Sequence, residues 1–457
     1  MRRLSCCFTI VVAVFGASGC GFIPAYTRAN HELKAGTPCP ATRASMVGID
    51  DEVFMGIALS GGGSRAANFS AAVLLELQDL GFLQTASAIS SVSGGSVTAA
   101  YYGLFGNQDS EWNPKRVREV LVRDFQTNWF LRWFAPHHIV RYWLTDFDRS
   151  DIMKRVFDDY LFKGRSFKAM GTGRPRIFIN ATSRVTVDGF VFSDQGFQAL
   201  GSCLADYPVS HAVMASAAFP GAFQNVTLES YRREQNGKDR HFDHLYDGGA
   251  TDNLGVETLR RTVQRLLKTS RAASPKRCFF FIVDAYTTPE RPDLATERDT
   301  RMAIDYIVDS NAIAASDALL ANRRSDVLGE LGFEDAEIGR TPFQTFSVPA
   351  DDEAEEGPSI PCAAWHLTFQ RLILAGQPEA RLPSDPKTLQ EMRNVGKAVN
   401  RIRTRFNLSS PGDDSEQALQ DLLFRAAFLL VNRDPESLKA TCDWFAGNGL
   451  RACEKLK

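Results

Sequence analysis

At 457 residues, 44% hydrophobic and 23% charged, the chain holds enough apolar material for a substantial core, in one large domain or two modest ones, and disorder is not its default state. Its 52 basic and 54 acidic residues leave a formal net charge of -2, and no long basic run is present that would track a phosphate backbone. Nucleic acid is therefore not an expected partner.

The first residues read as an address rather than as fold. Arg2 and Arg3 give a positive start, Leu4 to Ala17 is a short apolar stretch, and Ala17, Ser18 and Gly19 lead into Cys20, a pattern that suits cleavage by an export peptidase. The stretch is shorter than the roughly 20 apolar residues that span a bilayer. Residues 1–19 resemble a bacterial lipoprotein signal, with Ala17 standing where that signal usually has leucine. The resemblance makes Cys20 the first mature residue and the site of lipid attachment, and implies a lipid-anchored place in the bacterial cell envelope. Gly21 after Cys20 favours the outer membrane over the inner. An ordinary secretory signal or a membrane anchor is the alternative. Cys39, Cys203, Cys278, Cys362, Cys442 and Cys453 then remain. In an exported chain they permit disulfides of open pairing, and none has the close paired spacing of a zinc site.

Residues 20–50, with Pro24, Gly36, Pro38 and Pro40, read as a tether without strong periodicity. From Val53 the pattern changes. Phe54 to Leu59 is a short apolar run that ends in Gly61, Gly62 and Gly63 and opens into the largely apolar stretch Ala66 to Leu80, which predicts strand, glycine turn and buried helix. A second unit follows, with Ser87 to Val92 as strand, Ser93 to Gly95 as turn and Val97 to Leu104 as helix. Two such units in succession predict parallel strands with right-handed crossovers, hence an α/β sheet covered on both faces.

Trp129, Phe130, Trp133 and Phe134 recur at helical spacing, with Arg132 among them and Pro136 closing the segment. Core packing is expected of such aromatics; exposed, they would sit at a membrane interface and admit a lipid chain. Arg176 to Asn180 and Cys278 to Val283 are further strands. Asp351 to Glu356, closed by Gly357 and Pro358, reads as a solvated loop, and Ala364 to Phe369 as a strand-like stretch. Thr388 and Glu391 form a capping box for an amphipathic helix that carries Met392, Val395, Val399 and Ile402 on one face.

Three features carry chemistry. Ser60-Gly61-Gly62-Gly63-Ser64-Arg65 joins a strand to a helix, where glycines let backbone N–H groups turn toward an anion. It lacks the Gly-Lys-Ser/Thr ending of a nucleotide loop, and Ala66 stands where a dinucleotide fingerprint has glycine. Ser91-Val92-Ser93-Gly94-Gly95 again follows a strand and precedes a helix, and a serine on such a sharp turn raises its hydroxyl above the sheet edge at the positive end of a helix dipole. The usual elbow has glycine where Ser91 stands. Asp247-Gly248-Gly249 places a carboxylate on a glycine turn, where burial would raise its pKa toward that of a working base. An ordinary Asp-Gly turn is the plain alternative, and Asp243, Asp247 and Asp252 lack the alternating spacing of a calcium loop.

In this order the three features resemble the patatin-like phospholipases, in which a glycine-rich oxyanion loop with an arginine, a serine elbow and a distant Asp-Gly-Gly follow one another. Ala215 to Pro220 with Phe223, and Asn180-Ala181-Thr182, resemble further segments of that family. The likeness covers about residues 53–283, and more loosely extends to about 405. It implies a three-layer α/β/α patatin-like fold with a mainly parallel central sheet. The acyl hydrolase domain spans 51–405, and residues 406–457 form a helical C-terminal extension. By the same resemblance Ser93 is the nucleophile and Asp247 its base. The backbone N–H groups of Gly61, Gly62 and Gly63 form the oxyanion hole, and Arg65 steadies that loop or meets a lipid headgroup. Phospholipids, lysophospholipids or other acyl esters are the implied substrates, hydrolysed through an acyl-serine intermediate with no metal ion or cofactor.

A Ser-Asp-His triad would need His366, the only histidine after Asp247, for which a structural place in its strand is expected; His241 and His244 flank the aspartate too closely to share its site. Two other classes compete. One is a catalytically inactive lipid-binding or scaffolding lipoprotein of the same fold, left open by Ser91; the other is a phosphate or nucleotide binder built on the glycine loop.

Overall fold

Short strands that are apolar at every position demand cover on both faces, and the chain supplies it. A computed structural model describes residues 30–34, 36–40, 52–170, 175–232, 241–269, 274–287, 310–334, 338–352, 357–377, 382, 385–410 and 414–453. The expected signal at 1–19, Cys20, the tether residues 21–29, 35 and 41–50, and residues 353–356 of the acidic loop lie outside the described residues.

The strands are β1 (Val53–Leu59), β2 (Ala88–Val92), β3 (Arg176–Ser183), β4 (Gly189–Phe192), β5 (Val226–Ser230), β6 (His241–Asp247), β7 (Arg277–Asp284), β8 (Phe343–Pro349) and β9 (Ser359–Thr368). They form one sheet in the order β5-β6-β3-β2-β1-β7-β9-β8, with β4 also paired to β3. The central run β3-β2-β1-β7-β9 is parallel, and the flanking pairings are antiparallel. The helices are α1 (Gly63–Asp79), α2 (Gly94–Phe105), α3 (Pro114–Leu121), α4 (Phe125–Trp133), α5 (Pro136–Leu144), α6 (Arg149–Phe157), α7 (Asp194–Ala199), α8 (Val209–Ser216), α9 (Gly249–Asp252), α10 (Val256–Thr269), α11 (Ser310–Glu330), α12 (Phe369–Ile373), α13 (Pro386–Val399), α14 (Glu416–Asn432) and α15 (Pro435–Gly447).

Consecutive strand residues point to opposite faces, so each central strand feeds two cores. Met55, Ile57 and Leu59 of β1 join Phe279, Phe281 and Val283 of β7 beneath α1, α2, α8, α14 and α15. Phe54 and Ala58 join Phe280 and Ile282 beneath α10 and the end of α11. The architecture is the expected three-layer α/β fold with a mainly parallel sheet.

Several details differ from expectation, each for a local reason. Asp385, not Thr388, caps α13: its carboxylate accepts from the N–H groups of Lys387 and Thr388 at 3.4 and 2.9 Å, with Pro386 at the first helical position. Glu391 instead receives Arg425 Nε of α14 at 2.6 Å. Within the expected tether, Asn30 is buried and exchanges hydrogen bonds with the Glu229 backbone, while Cys39 is disulfide-bonded to Cys203, so this segment is tied to the domain at both positions. Cys278–Cys362 crosses β7 and β9, and Cys442–Cys453 closes α15. Asp351 and Asp352 of the acidic loop pair with Lys268 and Arg260 of α10 rather than facing water alone. After residue 405, in the expected helical C-terminal extension, helices α14 and α15 bury Leu423, Leu430 and Phe445 in the main core. The aromatic quartet divides: Trp129 and Trp133 stack half-buried with ring centroids 5.7 Å apart, whereas Phe130 and Phe134 are exposed, against the expectation of core packing. The reason is that α4 turns at Pro136 into α5, and among the described residues no element covers its outer face.

The start of α15 depends on a buried ion pair. Asp434 accepts Arg371 Nε and Nη2 at 2.8 and 3.1 Å, and also caps α15 through Ser437. Asp434→Ala leaves the Arg371 charge buried without its carboxylate, and should lower unfolding free energy by about 3–5 kcal/mol in a urea titration; a loss under about 1 kcal/mol would show that the pair does not matter.

Candidate active site

The end of β2 turns sharply into α2, and Ser93 sits on the turn with φ 49° and ψ -117°, outside the regions a side chain prefers. Such a conformation costs on the order of 1–3 kcal/mol and persists only where neighbours impose it. Here the Ser93 N–H donates to Ser216 Oγ at 2.8 Å, and Ser216 Oγ donates in turn to the Asn180 carbonyl at 2.5 Å. Ser96 Oγ lies 3.0 Å from Ser216 Oγ and donates to Ser91 Oγ at 3.1 Å. Ser91 Oγ donates to the Phe178 carbonyl at 2.9 Å, so the serine that replaces the usual glycine is buried and satisfied. Asn180 Nδ2 completes the support by donating to Ser90 Oγ and the Ser91 carbonyl at 2.8 and 3.0 Å.

The glycine loop lies directly beside this turn. A Cβ on Gly61 would meet Ser93 Cβ at 3.4 Å, and one on Gly94 would collide with the Gly63 backbone. Gly62 and Gly63 have φ of 135° and 59°, a conformation closed to most side chains, which turns their amides out at the start of α1. The first N–H groups of a helix have no partner within it. Of these, the Ser64 N–H donates to the Arg405 carbonyl at 2.6 Å, and the Gly63 backbone packs against Gly94 of the serine turn. Gly61 departs from expectation: its N–H donates to the Asn253 carbonyl at 2.9 Å and is spent on fixing the loop. Arg65 is buried, with Nε on the Ala285 carbonyl at 2.9 Å and Nη1 on the Ile402 carbonyl at 2.5 Å, an arrangement that steadies the loop and turns the guanidinium away from solvent.

Asp247 arrives from the other side of β3. Its backbone is placed opposite Ala181, its N–H donates to the Ala218 carbonyl at 3.1 Å, and Thr182 Oγ1 donates to its carbonyl at 2.9 Å. Its carboxylate is buried, accepts the Gly249 N–H at 2.8 Å, and lies near enough to the Ser93 hydroxyl for that hydroxyl to favour its charged form. Burial pushes this carboxyl up to about 6, against the Gly249 amide and the Ser93 hydroxyl, which favour the charged form. The two residues, 154 positions apart in sequence, therefore come together beside the glycine loop.

The remaining candidates have other duties. Asp252 accepts the N–H groups of Leu254 and Glu257 at 2.9 and 2.7 Å, holding the start of α10. His366 is fully buried and its Nε2 lies 2.9 Å from Asp284 Oδ2, which also receives Arg324 Nε at 2.8 Å. Burial acts to raise Asp284, but Arg324 and His366 hold it well below the carboxylate range, while burial pushes His366 down. His244 Nδ1 pairs with Thr227 Oγ1 at 2.9 Å. Among the described residues no group of three or more His, Cys, Asp or Glu is placed to hold a metal ion. Sequence reasoning gave no role to Asn253 or to Arg405, whose backbone carbonyls fix the glycine loop, because a backbone contact leaves no mark on residue type.

Residues 57–260 match the family model described as patatin-like phospholipase. Solved structures similar to the chain include human GIVD cytosolic phospholipase A2, at 13% identity and a TM-score of 0.46 over 85% of this chain and 59% of that one. The same enzyme in complex with methyl gamma-linolenyl fluorophosphonate matches at 15% identity and a TM-score of 0.45 over 87% of this chain and 60% of that one. VipD from Legionella pneumophila matches at 10% identity and a TM-score of 0.27 over 92% of this chain and 73% of that one. The chain thus spans about three fifths of the length of the human phospholipase chains it matches. No curated protein matches it in sequence.

A buried carboxyl raised from 3.8 to about 6 opposes folding once it must ionise. Its neutral form is compatible with the fold at low pH, and stability falls as pH rises from 3.8 to about 6, above which both states are ionised and the loss is complete. Asp247→Asn removes that cost. Its unfolding free energy should exceed that of the wild type by up to about 3 kcal/mol at pH 8, with the gap closing toward pH 4. A gap that does not change with pH would contradict the assignment.

Proposed function

We propose, given the patatin-like phospholipase domain that residues 57–260 form, that the chain is a serine acyl-ester hydrolase of phospholipase A or lysophospholipase type, working through a Ser93–Asp247 dyad. The observation that carries this reading is the placing of the Ser93 hydroxyl by the buried Asp247 carboxylate, beside the glycine loop at the start of a helix.

In the acylation step Ser93 Oγ attacks the ester carbonyl carbon while Asp247 takes the hydroxyl proton. The carbonyl oxygen becomes an oxyanion, received by the Gly62 and Gly63 amides, donors worth about 2.7–4 kcal/mol each in such sites. Collapse of the intermediate expels the alcohol, which takes its proton back from Asp247 and leaves an acyl-serine. Water then repeats the sequence, with Asp247 again as base, and releases the fatty acid. A base held near 6 is ionised at neutral pH yet basic enough to accept a proton. Arg65 and the Asn253 carbonyl keep the amides aimed, and Ser216 and Asn180 keep the serine turn strained. The bonded hydroxyl of Ser91 argues against an inactive scaffold, since the turn is complete with serine in the glycine place.

The reading extends to location. A lipid on Cys20 would hold the domain at the bacterial cell envelope, the outer membrane for preference. Three disulfides support an oxidising compartment, where such bonds persist. A phospholipid surface would then be within reach.

Hydrolysis of a phospholipid with the release of fatty acid, followed by mass spectrometry, tests the dyad. Ser93→Ala and Asp247→Asn should each lower the rate by at least about 1000-fold with the fold intact. His366→Ala should retain most of the activity in whatever fraction stays folded, and the wild-type rate should rise with pH through about 6. Full activity in Ser93→Ala, or its loss in folded His366→Ala, would overturn the dyad.

A further inference from the structure

Among the described residues, seven of the eleven exposed large hydrophobic side chains lie on one hairpin, α4 and α5. Phe130, Leu131 and Phe134 stand out from α4, and Val140, Trp143 and Leu144 from α5; Leu131 is 66% and Trp143 67% exposed. A patch of this concentration marks an interaction surface rather than scattered surface apolarity. We propose that this hairpin is the face by which the domain seats itself on a lipid bilayer and draws substrate toward Ser93, an inference that rests on the hydrolase reading for its substrate but not for its binding.

Charge and continuity favour a bilayer as the occupant. Residues 125–144 contain Arg132 and Arg141 and no carboxylate. Arg132 answers Asp159 at 2.6 Å, and Arg141 lies over the Phe147 ring at 4.4 Å, placing a cation at the foot of the apolar face where lipid phosphates would lie. The patch also runs inward without a break. Trp129 meets Phe223 at 5.2 Å between ring centroids, and Phe223 meets Phe406 at 5.7 Å. Phe223 follows closely on Ala218, whose carbonyl holds the Asp247 N–H. Phe406 is gripped by α4, its carbonyl receiving the Gln126 N–H at 3.0 Å and its own N–H donating to Gln126 Oε1 at 3.3 Å. The next residue back, Arg405, lies against Gly63 of the glycine loop. An acyl chain entering from a membrane under the hairpin would thus meet aromatic side chains as far as Phe406, whose neighbour Arg405 lies against the glycine loop.

The test uses the full chain carrying Leu131→Asn and Trp143→Ser, two positions outside the catalytic machinery. Hydrolysis of vesicles made of phosphatidylcholine and phosphatidylglycerol is compared with hydrolysis of soluble p-nitrophenyl butyrate, and flotation with the same vesicles is measured in a Cys20→Ser background. The double variant should lose about tenfold or more of its vesicle rate while keeping its soluble-ester rate, and its floated fraction should fall in parallel. An unchanged ratio of the two rates with unchanged flotation overturns the proposal. So does a dimer that the double variant dissolves without altering flotation, which would assign the patch to a second copy. Should the wild type cleave neither substrate, the hydrolase reading falls, and flotation alone decides the docking surface.

Discussion

Everything in the site hangs on β3 lying between β2 and β6. Val92 pairs with Asn180 and Asp247 with Ala181, so the residue that follows β2 and the residue that ends β6 are delivered to the same two positions of one strand. Because β2 runs parallel to β3 and β6 antiparallel, the serine turn and the aspartate turn converge from opposite flanks. The glycine loop arrives next door by the same logic, since β1 is the other neighbour of β2. Ligand sites in open α/β sheets form outside the carboxyl ends of strands for this reason.

Convergence alone would not hold a serine at positive φ or a carboxylate out of water. The strain at Ser93 is held by the Ser216 hydroxyl, which is fixed by Asn180, which in turn reaches Ser90 and Ser91. The buried hydroxyls of Ser91, Ser96 and Ser216 in this network each have a partner, and a partly satisfied network would cost more than an apolar one. Asp247 is treated differently. It is given a single backbone donor and the serine, few enough bonds that burial prevails and its pKa rises. Asp284 lies in similar burial but faces Arg324 and His366, and its pKa falls. The two aspartates differ in their neighbours rather than in depth, and that difference separates a group suited to proton transfer from one that braces α11 against the sheet.

Much of the fold was legible because its signals are local. Phe54 to Leu59 and Cys278 to Val283 are apolar at every position, and no arrangement other than a doubly covered strand accommodates them. The site residues were legible through glycines that sit beside them: Gly62 and Gly63, Gly94, and Gly248 and Gly249 mark turns where side chains would collide. What escaped depended on distant contacts. The commitment of the Gly61 amide to Asn253, the docking of Asn30 on Glu229, and the place of α14 and α15 inside the main core are long-range facts with no local signature. The capping residue of α13 was misplaced by three positions because Asp385 and Thr388 are both acceptable caps, and Pro386 decided between them. The aromatic quartet on α4 reads as core by composition, yet its burial depends on what covers it, which residue spacing does not encode.

Mapping the adduct of a lipid-like fluorophosphonate by peptide mass spectrometry across a pH series tests the central claim most directly. The account predicts one phosphonylated serine, Ser93, with a labelling rate that reaches half its plateau near pH 6, where Asp247 ionises. Labelling at a different serine, or at Ser93 with a midpoint unmoved when Asp247 is replaced by Asn, would contradict it.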